Sequence, residues 1–260
     1  MSESVLVEKN NEIATIYLNE PDSLNAMGLK LIKELTTVLR ELEEDRSIKV
    51  VILAGKGKSF CAGGDIKMMA NEDLTLLKTK EVIDDFTGIV ATMRKMTKVI
   101  IAAVHGYVAG AGMSLALAAD LIVAEEDSRF VLSFKNIALI PDLGIHYHLP
   151  KVVGELKAKE WIMRGVNLTA QDAKAERLVS EVVAKGALLE TANGLAAEIA
   201  SGPTQAFVSS KRIIHDSFDS SFEEVIEKEN AAQIIMRGTD DHREGIQAFF
   251  EKRRPKFSGK

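Results

Sequence analysis

Two hydrophobic rhythms alternate along the chain. Near the N-terminus, SVLVEK and EIATIYLNE are short β-rich runs joined through Asn10-Asn11, a pair that tolerates the positive φ of a tight turn, so a hairpin is predicted. The spacing then changes to three and four. Leu31, Ile32, Leu35, Val38, Leu39 and Leu42 mark one apolar face of a helix. IKVVILAG (48–55) is a continuous apolar run of buried-strand length, ending in the glycine-containing loop GKGKSFCAGGD. The same grammar repeats. A helix is predicted over 74–96, with Leu77, Val82, Phe86, Ile89, Val90, Met93 and Met96 on its apolar side. KVIIAAVHG (98–106) reads as a second buried strand, followed by the glycine-rich GYVAGAGMSLALAAD and a third strand, LIVAEE (121–126). Strands alternating with helices predict an α/β fold with a largely parallel sheet and crossover helices.

Beyond about residue 140 the pattern turns helical. TAQDAKAERL (169–178) opens with a Thr/Asp capping box, SEVV is a short strand, and helices run from about 186 onward, broken at Gly202-Pro203 and at Gly238. Apolar positions on these last helices (Val225, Ile234, Ile235, Ile246, Phe249, Phe250) predict packing on the sheet or on another subunit, with a soft boundary near 200: a core over 1–200 and a helical region over 201–260.

Composition narrows the function classes. The 260 residues are 46% hydrophobic and 27% charged, ordinary for a soluble globular protein, and there is no fixed-period repeat or low-complexity segment. A net charge of −5 argues against non-specific nucleic-acid binding as the main task. A single cysteine, Cys61, excludes an internal disulfide and a cysteine-based zinc site, and fits a reducing compartment. The opening MSESVLVEKNNE is too charged for a signal peptide, and the longest apolar run, VIIAAV, is far short of a bilayer span. A cytoplasmic protein without membrane insertion is expected.

The two glycine-rich turns each follow a buried strand and precede a helix, where ligands of open α/β sheets bind. Glycine lets backbone approach a ligand, and N–H groups at a helix start favour an anion or a developing oxyanion. Neither turn ends in the Lys-Ser/Thr of a phosphate loop, and GYVAGAG is not spaced as a dinucleotide fingerprint. SFCAGGDIK (59–67) together with HGYVAGAGMSLALAADLIVA (105–124) resembles the enoyl-CoA hydratase/isomerase, or crotonase, superfamily, with further matches at LNEPDSLNAM (18–27), LIPDLG (139–144) and QAFFEKRRPKF (247–257). The resemblance implies a crotonase-like spiral of ββα units with a C-terminal helical trimerisation region, a homotrimer or a hexamer of paired trimers, and an acyl-CoA thioester substrate. It implies no metal or redox cofactor, CoA being part of the substrate. It also implies a shared step in which two backbone N–H groups stabilise a thioester enolate.

Carried over position by position, the resemblance assigns the two N–H donors to Gly64 and Ala111, and segments that clasp CoA to Ala26, Ala62, Asp65 and Ile66. Phe249 and Lys252 match residues that reach CoA, often from a neighbouring subunit. Two glutamates that hydratases of the family use to place and deprotonate water fall on Ser114 and Phe134 here, so both carboxylates are absent. Adding water needs groups that orient and deprotonate it, whereas shifting a double bond needs one base that removes a proton from one carbon and returns it to another. Asp142, in FKNIALIPDLG (134–144), resembles the acid of isomerases that pair a Gly-Ala-Gly-type triplet with LIPD, and is the expected proton shuttle, its pKa raised by Leu139, Ile140 and Leu143.

Where relatives continue Pro-Asp-x-Gly-Gly-Thr, this chain has PDLGIHYHLP, making Phe134, Ile145, His146, Tyr147 and His148 expected wall residues of the acyl site. Tyr147 or a histidine is a second acid/base candidate. His146 and His148 lack a third ligand at metal spacing. A hydratase with unfamiliar acid/base groups, and a non-catalytic acyl-CoA-binding or scaffold member, are the alternative readings.

Overall fold

A computed structural model describes residues 3–70 and 75–260. The N-terminal hairpin is present. Strand β1 (Val5–Asn10) pairs antiparallel with β2 (Ile13–Leu18), Asn10 facing Ile13. Asn11 takes φ +51 in the turn, the left-handed conformation Asn accepts at low cost. Helix α1 (Leu29–Glu44) buries Leu31, Ile32, Leu35, Leu39 and Leu42, the stripe its spacing predicts, while Val38 is half-buried.

Strands β3 (Val50–Gly55), β4 (Val99–Val104), β6 (Leu121–Glu125) and β9 (Glu181–Val183) extend the sheet in the order β1-β2-β3-β4-β6-β9, every neighbour pair after the hairpin being parallel. Both faces are covered, as parallel strands require. On β3, Val51 and Leu53 join the larger core with α1, and Val50, Ile52 and Ala54 face the other way. The second face is closed by α8 (Leu188–Ala200), whose Leu188, Ala192, Ala196 and Ala200 recur every fourth residue.

Between these strands lie α2 (Ile66–Met69), α3 (Leu76–Lys95), β5 (Tyr107–Ala109), α4 (Ala111–Leu117) and β7 (Arg129–Val131). α5 (Ile145–Val153), α6 (Glu155–Arg164), β8 (Asn167–Thr169) and α7 (Ala170–Ala175) follow. Strands β5, β7 and β8 form a second, three-stranded sheet that the periodicity does not announce, each strand being only three residues long. The capping box at the start of α7 is formed: the Thr169 hydroxyl accepts from the Asp172 N–H, and Asp172 accepts from the Thr169 N–H. Of the α3 residues assigned to the core, Phe86, Ile89, Val90 and Met93 are buried, but Leu77 is exposed; position 74 lies outside the described residues.

Helices α9 (Thr204–Ser217), α10 (Phe222–Arg237) and α11 (Asp240–Glu251) complete the chain, separated at Pro203 and Gly238 as expected and additionally at Ser221, which caps α10 with Glu224. α9 is fastened to the sheet through Lys211, whose buried ammonium donates to the Asp120 carboxylate at 2.8 Å and the Lys98 carbonyl at 2.9 Å. On α10 and α11, Ile234, Ile235, Phe249 and Phe250 remain exposed. Among the described residues no helix is long and apolar enough to cross a membrane.

Candidate active site

The two glycine turns meet. The chain leaving β3 runs beside β5: the Cys61 N–H donates to the Tyr107 carbonyl at 3.0 Å, and the Ala109 N–H donates to the Cys61 carbonyl at 2.9 Å. This parallel bridge between Cys61 and Val108 brings residues 62–64 against 109–112. Two glycines make the approach possible. Gly63 has φ +107, and a Cβ there would lie 3.1 Å from the Ala109 carbonyl oxygen and 3.7 Å from the Ala111 nitrogen. A Cβ on Gly112 would lie 2.5 Å from the Cys61 carbonyl oxygen, a backbone collision. On the other side, the Met27 N–H donates to the Gly63 carbonyl at 2.8 Å, which fixes the 24–28 segment beside the turn.

This packing leaves two backbone donors without protein acceptors. Ala111 is the first residue of α4, so its N–H lies outside the helix's own ladder. Among the described residues neither the Gly64 nor the Ala111 N–H has a hydrogen-bond partner. Both residues line one cavity of about 340 Å³. Paired donors at one apolar cavity, one of them at a helix N-terminus, can hold a developing oxyanion.

The rest of the wall comes from three elements. Ile66, Met68 and Met69 come from α2, and Thr79, Val82, Ile83 and Phe86 from one stripe of α3. The segment after β7 contributes Ser133, Phe134, Ile137, Leu139 and Asp142. Phe134 opens a 3-10 turn (Phe134–Ile137) and its ring tip is 3.7 Å from where a Cβ on Gly110 would stand. Of these, the α3 stripe is legible only as a generic apolar face; its 79-82-83-86 spacing is the signal that marks it as a wall.

Asp142 is the only ionisable side chain among the described lining residues. It is exposed and contributes to the cavity lining. Desolvation there raises its pKa above the ordinary carboxylate value, opposed by its own backbone N–H and by His146. The loop that presents it is unusual. Leu143, buried, has φ +53, and Gly144 has φ +85 as the cap of α5. A non-glycine residue there is strained by roughly 1 kcal/mol or more, a cost that tends to collect at functional sites. The loop is held by its carbonyl: the Asp142 oxygen accepts from the Ile145 N–H at 3.2 Å and from the buried Ser114 hydroxyl at 3.1 Å.

Several expected site residues sit elsewhere. Ser114 does not line the cavity; it anchors the Asp142 loop to α4. Tyr147 does not line the cavity either. Ile145 and Leu149 take the buried face of α5, which turns Tyr147 and Lys151 toward α3 and α9. The Tyr147 hydroxyl accepts from Arg94 at 2.9 Å and donates to the Asp219 carboxylate at 2.8 Å, while Lys151 sits 3.2 Å above its ring. His148 packs edge-on to Tyr147, its pKa pushed down to about 4 by burial and by Arg94, His215 and Lys151. Ile140, expected around Asp142, is 77% exposed. Asp65 caps α2, accepting from the Lys67 N–H at 2.9 Å, and neither it nor Ala26 lines the cavity. Ala62 and Ile66 do. Phe249 lines a separate groove among α9, α10 and α11, and Lys252 terminates α11 with φ +54. Cys61 is fully buried, its thiol pushed up to about 12, as befits a core residue.

Residues 8–260 match the family model described as enoyl-CoA hydratase/isomerase. The chain belongs to the enoyl-CoA hydratase/isomerase family. Among its relatives, YhaR of Bacillus subtilis (strain 168), named for the same hydratase/isomerase pair, is 38% identical over 95% of this chain and 96% of that one. The 1,2-epoxyphenylacetyl-CoA isomerase of Escherichia coli (strain K12) is 32% identical over the whole of both chains. The crystal structure of an enoyl-CoA hydratase from Bacillus anthracis superposes with a TM-score of 0.94 at 32% identity, over 99% of this chain and all of that one. The crotonase fold is thus established for this enoyl-CoA hydratase/isomerase family member, with its parallel-rich sheet and C-terminal helices. The family's names include both hydratases and isomerases.

Proposed function

We propose that the protein isomerises an unsaturated acyl-CoA thioester, by double-bond or ring isomerisation, with Asp142 as the proton shuttle and the Gly64 and Ala111 N–H groups as the oxyanion hole. The observation that carries this reading is that Asp142 is the only ionisable side chain among the described residues around the cavity. For a 3-enoyl thioester, the Asp142 carboxylate takes the proton from the α-carbon. The electron pair of that C–H bond delocalises into the carbonyl, giving a dienolate whose oxygen the two N–H groups stabilise. The resulting carboxylic acid returns the proton to the γ-carbon, and the double bond is left conjugated with the thioester. No water is consumed.

Hydration draws less support from this cavity. A water must be oriented and deprotonated, yet Phe134 is apolar and the Ser114 hydroxyl is engaged with the Asp142 carbonyl. Desolvation that raises the Asp142 pKa suits a group that must both accept and return a proton near neutral pH. The ring-isomerising relative supports isomerisation; hydration is the second reading, favoured by relatives such as the Escherichia coli 2,3-dehydroadipyl-CoA hydratase, 32% identical over both whole chains. The uncovered apolar faces of α10 and α11 suit the trimer or hexamer that the resemblance implies.

The test offers 3-enoyl-CoA and 2-enoyl-CoA separately and follows the absorbance of the conjugated thioester. Isomerisation of the 3-enoyl substrate is expected, falling about 10²–10⁴-fold in Asp142→Asn, the usual worth of a general acid/base. Hydration of 2-enoyl-CoA with the 3-enoyl thioester untouched would sink the proposal.

A further inference from the structure

The cavity wall carries a chemical bias beyond the reaction. The α2 and α3 contributions are Ile66, Met68, Met69, Val82, Ile83 and Phe86, all apolar. The Thr79 hydroxyl is already committed, donating to the Thr75 carbonyl at 3.0 Å. No lysine, arginine or histidine is among the described lining residues, and the one charge present, Asp142, is negative. Nearby cations are turned elsewhere. Arg94 donates to the Tyr147 hydroxyl and the His215 carbonyl, Lys80 pairs with Asp84, and the Lys135 stem packs against Gly165. Lys67 and Lys78 are exposed and do not line the cavity. At about 340 Å³ the space takes an acyl portion of roughly ten non-hydrogen atoms, each filling about the share of one water.

We infer that this cavity selects uncharged, apolar acyl groups and rejects thioesters whose chain ends in a carboxylate. The inference rests on the acyl-thioester reading above. A terminal carboxylate would leave water for a wall of mostly methyl, thioether and aromatic groups, with the Ser133 hydroxyl as the one further polar side chain beside Thr79, find no cation, and face the like charge of Asp142. The methionines fit irregular apolar chains, because an unbranched thioether adapts its shape at low cost. Ile83 lines the cavity and is 48% exposed, so it can carry an ammonium without burying it fully.

The test measures binding of saturated thioesters, which contain no double bond to move, so its result is independent of the reaction assigned above. Octanoyl-CoA and its counterpart with a carboxylate at carbon eight are titrated calorimetrically against wild-type protein, Ile83→Lys and Ile83→Gln. The carboxylated thioester is expected to bind wild-type protein at least about 100-fold more weakly, in line with an unpaired buried charge. Ile83→Lys is expected to narrow that gap at least tenfold by supplying a cation, and the uncharged Ile83→Gln to leave it. Binding of the two thioesters to wild-type protein within threefold of each other overturns the inference, as does an unchanged gap in Ile83→Lys. If octanoyl-CoA is preferred but 3-enoyl-CoA is not isomerised, the proposed reaction fails and the acyl selectivity stands. If neither thioester binds, both fail.

Discussion

Ala111→Pro removes one of the two unpartnered donors with little reason to disturb the fold. Ala111 is the first residue of α4, where a missing N–H breaks no helical hydrogen bond and a φ fixed near −65° is welcome. The preceding Gly110, at φ +50 and ψ −119, lies outside the right-handed helical region that a following proline disfavours, and lacks the Cβ that clashes with the proline ring. Folding stability should therefore change by about 1 kcal/mol or less, a Tm shift of no more than about 4 °C for a chain of this size. Catalysis should suffer far more. One donor of an oxyanion hole is worth about 10²–10³ in kcat, or about 2.7–4 kcal/mol of transition-state stabilisation. The ring carbon that replaces the hydrogen would also crowd the oxyanion. Ala111→Gly keeps the N–H and serves as the control, with kcat within about threefold and a stability loss of at most about 1 kcal/mol. Two assays report the effect: isomerisation of 3-enoyl-CoA, and exchange of the α-proton of a saturated acyl-CoA in D₂O, which measures enolate formation without regard to product. A folded Ala111→Pro protein with wild-type kcat and wild-type exchange would refute the assignment of the Ala111 N–H.

Further consequences follow from the same geometry. Because burial raises the Asp142 pKa, kcat/KM should fall as pH drops through a value above the usual carboxylate range, and a pH–rate profile locates that limb. The ionised carboxylate is the form disfavoured by folding, so Asp142→Asn should be more stable than wild type at neutral pH. That gain should fade on acidification through the raised pKa, as urea midpoints across the pH range would reveal. Gly112→Ala should destabilise by about 1–3 kcal/mol and lower kcat, since its methyl meets the Cys61 backbone. Gly88→Ala, with open space around the added carbon, should instead be neutral or stabilising by up to about 1 kcal/mol in thermal unfolding. Tyr147→Phe should cost about 1–2 kcal/mol through the lost hydroxyl partners while leaving KM unchanged; a large change in KM would return Tyr147 to the cavity wall.

How much was legible depended on whether a residue's role is set by its neighbours in sequence. The hairpin at Asn10-Asn11, the capping box at Thr169 and the helix breaks at Pro203 and Gly238 are local, and local chemistry announces them. The two glycine turns were legible too, because few backbone geometries demand glycines so densely beside a helix start. Strands β5, β7 and β8 were not, for three residues are too few to show alternation and none of them carries the adjacent valines that mark β9. The direction of Tyr147 is harder to read, because a helix of nine residues has an apolar stripe set by Ile145 and Leu149 alone, and only that i, i+4 pair reveals which way its polar neighbours turn. Ser114 had no readable signal. Its tie to the Asp142 carbonyl spans 28 residues and belongs to the tertiary structure alone.

That tie makes α4 more than a spacer. Its first residue offers the Ala111 N–H, and one turn later Ser114 grips the loop carrying Asp142. The proposed donor and the loop of the proposed base are thus both tied to one short helix, which limits how far they can move apart. The wall contributed by α2 and α3 is a different stretch of chain, joined to that framework where Arg94 of α3 donates to the Tyr147 hydroxyl on α5. Substitutions at Met68, Thr79 or Ile83 can reshape what enters while the reacting geometry stays where α4 puts it. A lineage built this way can change its diet without relearning its chemistry.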